Sequence, residues 1–186
     1  MLVEELEEGG EVWGVQEGDL HRPSGLHLSS IIHDRCKGVD PKRYDRGGPP
    51  DVAKMETGSA VEAALERKLA KYSPGGFRPP PMQQDGIWCS PDWITAQGIL
   101  EEFKCTWYSM RKECPTHDVY WPWRTQIKGY CYVLQVLEAI LRVLFINGTY
   151  APPTPVFKSY RLIFTPGELK ESWGQNVGHA KWRGWL

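Results

Sequence analysis

Asp92, Glu102 and Lys104 are the residues of this chain whose types and spacing are best suited to joint chemistry. Asp92 ends the stretch Cys89-Ser90-Pro91-Asp92, and Glu102-Phe103-Lys104 follows in Gly98-Ile99-Leu100-Glu101-Glu102-Phe103-Lys104. Side chains alternate across a β-strand, so Glu102 and Lys104 share one face while Glu101 and Phe103 take the other. A hairpin turning at Thr95–Gly98 brings Asp92 back beside that pair. Two carboxylates and an ammonium then converge on one spot, a set able to hold a divalent cation and a water near a phosphate. Taken alone the pattern is also an ordinary ladder of surface charge, so its meaning depends on the elements around it.

Those elements read as follows. Leu28–Lys37 is expected to be a short helix entered from Ser29 or Ser30 as the cap. The stretch 40–51, rich in Gly, Pro and charge, reads as a loop. Gly58–Tyr72 has the helical repeat Val61, Leu65, Leu69, with Ala60 and Ala64 for close packing. Three β segments follow, Gln83–Cys89, Trp93–Thr95 and Ile99–Cys105. Arg124–Leu137 reads as a second long helix, and Ile140–Ile146 and Val156–Phe164 as further strands. Pro166–Gly174 reads as a terminal helix with Pro166 tolerated at its start. This order predicts an α/β domain on a mixed sheet.

Composition narrows the class. With 186 residues the chain is long enough for one domain with a sizeable core. Residues 1–19 hold seven acids and no Lys or Arg, so the remainder carries 22 basic against 16 acidic residues, a net +6 hidden beneath the overall −1. The division expected is an acidic leader over 1–20 and a single domain over 21–186. A mildly basic body suits a polyanion partner. The acidic start is unlike a secretory signal, and no apolar run reaches membrane-spanning length, so a cytoplasmic protein is expected. Five Cys without a CxxC suit a reducing compartment and argue against zinc or an iron–sulfur cluster.

Two helices supply companions for the carboxylates. Glu62 in Gly58-Ser59-Ala60-Val61-Glu62 shares a helical face with Glu66, and Gln126 shares one with Tyr130. Gly-x-x-x-Glu, Ser-Pro-Asp, Glu-x-Lys and Gln-x-x-x-Tyr, in that order over residues 58–130, resemble the PD-(D/E)xK nuclease superfamily. The likeness is nearer to its phage lambda exonuclease (YqaJ-type) and RecB-type branch. That resemblance implies a restriction-endonuclease-like core, a central mixed β-sheet flanked by helices. It also implies a Mg²⁺- or Mn²⁺-dependent deoxyribonuclease with two ions. The ligands would be Asp92, Glu102, the Phe103 backbone carbonyl and Glu62; Lys104 would orient the attacking water, and Gln126 and Tyr130 would position substrate and Lys104. Glu101 precedes the motif, and only Glu102 has the required spacing to Lys104.

Upstream, Arg22 lies seven residues before Ser29, a spacing similar to the pair that holds a 5′-phosphate in lambda-type exonucleases. Downstream, basic and aromatic residues interleave: Trp107, Tyr108, Arg111, Lys112, Tyr120, Trp121, Trp123, Arg124, Lys128. Cations can follow a phosphate backbone while rings stack on bases. The activity expected is exonucleolytic hydrolysis of DNA, linear duplex or single strand, in phage-type recombination or repair. A single-strand annealing or recombination protein would be a natural partner. Lambda-type relatives form toroidal trimers, but this chain is short for that branch and no trimer signature is visible. The alternatives are a structure-specific or flap endonuclease with the same core and a catalytically degenerate DNA-binding protein.

Overall fold

A computed structural model describes residues 23–44, 52–72, 74–112, 114–151 and 155–186. The acidic leader, Arg22 and residues 45–51 of the expected loop lie outside the described residues. In chain order the elements are β1 (Leu26–His27), α1 (Leu28–Val39), α2 (Pro41–Tyr44), α3 (Val52–Tyr72), β2 (Met82–Gln84), β3 (Ile87–Cys89), β4 (Trp93–Ile94) and β5 (Leu100–Thr106). A 3₁₀ turn (Asp118–Tyr120) then leads into α4 (Trp121–Leu134), β6 (Glu138–Phe145), β7 (Val156–Ile163) and α5 (Pro166–Trp182).

The strands form two mixed sheets, ordered β1-β3-β2 and β4-β5-β6-β7. This refines the single sheet expected. Pro91 has no N–H to offer a ladder, so the chain leaves the first sheet after Cys89 and enters the second at Trp93. The expected strand Gln83–Cys89 is itself a hairpin, β2 antiparallel to β3. Asp85 and Gly86 both take positive φ, 50° and 78°, the two-residue turn that matches strand twist. The Asp-Gly pair is itself a sequence signal for that turn.

In the larger sheet, β5 runs parallel to β6 and pairs Glu102 with Leu141 and Lys104 with Val143. Paired residues share a face, so Leu100, Ala139, Leu141 and Val143 surround the Glu102 face. They join the main core with Leu28, Ile31 and Ile127 of α1 and α4. The opposite face carries Phe103 and Leu144, which pack with Trp93 and with Val61 and Leu65 of α3. The sheet is thus held between α3 on one side and α1 and α4 on the other.

Helix boundaries follow local chemistry. α1 starts at Leu28 with His27 as its cap residue and no side-chain cap bond. Ser29 therefore lies inside the first turn, which corrects the expected serine cap. His27 is held instead by a 2.7 Å bond from its Nε2 to the Pro23 carbonyl. α4 begins three residues earlier than expected because Pro122 suits the first turn, and it ends where Gln135 turns left-handed at φ 56°. α5 opens with a capping box between Thr165 and Glu168. It runs on through Gly174 and Gly178 to Trp182, because Leu169, Trp173, Asn176 and Ala180 form a buried stripe. Packing on that stripe outweighs the cost of the two glycines.

α1 and α4 cross closely at Gly129, where an added Cβ would stand 2.4 Å from Leu28 Cδ2. Gly129 immediately precedes Tyr130, so this crossing sets the depth of the α4 face that looks at the site. Gly129→Ala should destabilise the protein by about 1–3 kcal/mol through overpacking, measured by urea unfolding. An unchanged or higher midpoint would show that Leu28 yields freely.

Candidate active site

The β4–β5 hairpin forms as its sequence suggests. Trp93 pairs with Glu101 and Ile94 with Leu100. Thr95 closes the turn by accepting from the Gly98 N–H at 2.9 Å and the Ile99 N–H at 3.1 Å, the first on its carbonyl and the second on its Oγ1. Gly98 supplies the positive φ of 80°. Asp92 lies just before β4, and its Oδ2 accepts the backbone N–H of Phe103 at 2.8 Å. One strand along, Lys104 Nζ donates to Glu102 Oε1 at 2.5 Å.

Burial makes this group costly. Glu102 is fully buried and Asp92 is 8% exposed. Burial pushes Asp92 well above the usual carboxylate range, and the Glu102 charge adds to it against Lys104 and the Phe103 N–H. Glu102 is also raised, by burial first, with Lys104 opposing. For Lys104 burial acts to lower the pKa, but the charges of Glu102 and Asp92 prevail and hold it above its ordinary value. Lys104 in this arrangement is an ammonium, a donor and a positive charge, and not a free amine poised to take a proton.

Glu62, on α3, completes the acidic set. Its carboxyl is pushed up to about 7, by burial and then by Asp92, against the pull of Arg78 and Lys104. Glu66 one turn on is raised as well, burial leading. Gln126 Nε2 donates to the Tyr130 hydroxyl at 2.8 Å. Tyr130 is held well above its ordinary value by burial and then by Glu102 and Asp92, so it remains a phenol with a proton to donate. The structure thus brings together Glu62, Asp92, Glu102, Lys104 and, from the opposite helix, Tyr130 with Gln126.

Glu101 turns the other way. It accepts two bonds of 2.7 Å from Arg142 of β6, a bidentate pair at a side-chain exposure of 3%. The two adjacent acids are separated by the pleat into a structural ion pair and a site carboxylate.

The donor set suits a hard divalent cation, since the side chains offer carboxylate oxygen only. Glu102 Oε2 is buried with no N–H donor aimed at it, and the Asp92 carboxyl beside it can bond it only by carrying a proton, so the pair is short of positive charge. Among the described residues, however, no three His, Cys, Asp or Glu side chains stand as a ready-made metal cage. Lys104 and Arg78 act as counter-ions instead. Cys89 and Cys131 are buried thiols, each pushed up to about 12 by burial, and so inert at neutral pH.

The candidate substrate residues divide. Arg111 and Lys112 are exposed. Lys128 lies 3.9 Å from Glu168 and over the Phe164 ring. Arg124 is occupied: its Nη1 donates to the carbonyls of Pro115, Thr116 and His117 and so clamps the loop before α4. Tyr108, Tyr120 and Trp123 form one aromatic cluster, with Tyr120 fully buried. Trp107 is half-buried and its carbonyl accepts from Asn147. Ser29 sits in the first turn of α1, and its companion Arg22 lies outside the described residues.

Sequence reasoning missed Arg78. Its Nη2 donates to Glu62 Oε1 at 2.7 Å, and its Nη1 lies 2.9 Å from Glu66 Oε1 as a contact of charge rather than an aligned hydrogen bond. The only clue in the sequence is a lone Arg between Gly75-Gly76 and a run of three prolines.

No protein-family model matches the chain, and no curated protein does. Solved structures do. The alkaline exonuclease of Laribacter hongkongensis superposes with a TM-score of 0.54 at 13% identity, over 86% of this chain and 89% of that one. Its complex with dAMP gives the same values. The chain shares the fold of that protein. A phage-related exonuclease of Haemophilus somnus 129PT is a looser likeness, with a TM-score of 0.49 at 12% identity over 89% of this chain and 95% of that one.

Two outcomes follow from the electrostatics. The Glu62 carboxyl has its ordinary value of 4.5 in the unfolded chain and about 7 in the fold. Its folded form therefore binds the proton more tightly, and the stability this confers is present below pH 4.5 and lost as pH rises to 7. In metal-free buffer, Glu62→Gln should gain stability relative to the parent across that window, read from paired thermal melts; a constant difference would contradict the environment described. Glu101→Ala should strip Arg142 of its buried partner and destabilise the protein by about 3 kcal/mol, measured by urea unfolding. A loss below about 0.5 kcal/mol would mean that the pair contributes little.

Proposed function

We propose that this chain is a divalent-metal-dependent DNA exonuclease, hydrolysing phosphodiester bonds from DNA ends in phage-type recombination or repair. The observation that carries the reading is the hairpin placing Asp92 and the Glu102–Lys104 pair together, next to Glu62, within a fold shared with an exonuclease.

Asp92, Glu102, the Phe103 carbonyl and Glu62 would hold Mg²⁺ or Mn²⁺, two ions in the full reading. When bound, such an ion lowers the pKa of a water and stabilises the leaving oxygen. The chain's own groups do the rest. Lys104, kept as an ammonium by Glu102 and Asp92, presents a positive charge to the phosphate and orients the attacking water. Tyr130 and Gln126 present a phenol proton and an amide on the α4 side and limit where the substrate can lie. Trp107, Arg111, Lys112 and Lys128 supply ring and cationic contacts for the strand. Arg124 keeps its place by positioning the 115–117 loop. Ser29 and Arg22 would take the 5′-phosphate, a helix N-terminus with a hydroxyl being suited to an anion. Among the described residues no helix is long and apolar enough to cross a membrane.

The test is digestion of DNA by the purified protein with Mg²⁺ or Mn²⁺. Linear duplex should be degraded and covalently closed circular duplex left intact. Asp92→Ala and Lys104→Ala should each lower the rate by at least roughly a hundredfold, as loss of a group that stabilises charge in the transition state does. Cleavage of closed circles would move the assignment to an endonuclease with the same core. Full activity in either variant would remove the catalytic assignment.

A further inference from the structure

Among the described residues at the site, Arg78 is accounted for neither by the resemblance nor by the charge pattern. It is not a wandering surface arginine. Phe77 makes a two-bond bridge with Ile94 of β4, at 2.9 and 2.8 Å, so the chain is pinned to the hairpin one residue before Arg78. Gly76 lies against the Trp93 ring, where a Cβ would be 2.6 Å from Nε1, so this close approach requires glycine. Pro79, Pro80 and Pro81 follow and stiffen the exit. The backbone therefore delivers this guanidinium to α3, and its two ends meet Glu62 and Glu66, which lie one helical turn apart.

We propose that Arg78 is a competing internal counter-ion: its guanidinium engages Glu62 in the resting protein, and a divalent ion gains Glu62 as a ligand only by displacing it. This rests on the metal-dependent reading above. Glu66 is the second anchor in this scheme. With its side chain half exposed, Arg78 can give up Glu62 without leaving the surface, and Glu66 keeps it from re-entering the acidic cluster. The arrangement spares the resting site an unpaired carboxylate, since Glu62 keeps a partner whether or not an ion is present.

The experiment is calorimetric titration of Mn²⁺ into the full chain in the absence of DNA, so that binding is read without turnover. Arg78→Gln removes the competitor and should tighten Mn²⁺ binding roughly three- to fivefold, the amount a half-exposed ion pair contributes. Glu66→Gln is made in both backgrounds as a control. In the Arg78→Gln background it removes only one nearby carboxylate. In the parent it also leaves Arg78 wholly to Glu62, so it should weaken Mn²⁺ binding more there. Unchanged or weaker binding by Arg78→Gln, or an equal effect of Glu66→Gln in both backgrounds, overturns the counter-ion role while leaving metal dependence standing. No Mn²⁺ binding by the parent or by Arg78→Gln would sink both.

Discussion

The arrangement at the hairpin depends on one constraint: two carboxylates, Asp92 and Glu102, are buried side by side with too little positive charge to match them. One ammonium, one backbone N–H and a half-exposed guanidinium on Glu62 are the compensation available. Burying a carboxylate is expensive unless it is paired, and the usual escape is to take up a proton. The carboxyls of Asp92, Glu102 and Glu62 are all raised toward that escape, Glu62 to about 7, while the negative charge that Asp92 and Glu102 keep is what holds Lys104 as an ammonium. A site of this kind is strained with respect to charge, and a small hard cation would relieve it directly.

The scaffold serves this constraint at several levels. The parallel β5–β6 pairing surrounds Glu102 with aliphatic residues of β6 and so keeps water from solvating it. The opposite pleat face is used for stability, with Glu101 and Arg142 as a bidentate pair and Phe103 wedged against α3. α3 thereby does two things: its apolar stripe fixes it to the sheet, and Glu62, the residue after Val61, is brought near Asp92 and Lys104. On the other side, the close crossing of α1 and α4 at Gly129 sets where Tyr130 lies.

Much of this was legible in the sequence because strand alternation is rigid. Once Leu100–Thr106 is a strand, Glu102 and Lys104 must share a face and Glu101 must leave it, and the Thr95–Gly98 turn fixes the partner strand. Helical spacing likewise delivered Val61 and Leu65 as buried and Gln126 beside Tyr130. What was not legible depends on long-range approach. Arg78 reaches Glu62 across sixteen residues through a bridge to β4 that no local periodicity encodes. Arg124 has the chemistry of a phosphate contact, and only the fold of the preceding loop shows that its Nη1 is already taken. The break into two sheets turns on Pro91, whose effect on a ladder is visible only when one asks which neighbour its N–H would have served.

A divalent ion bound among these carboxylates would take the place of protons that burial favours on them. Mn²⁺ binding measured by calorimetry at pH 6.5, in two buffers of different ionisation enthalpy, gives the number of protons released per ion. The expected result is net proton release, reduced in Glu62→Gln. Binding with no proton release, or no binding at all, would contradict it.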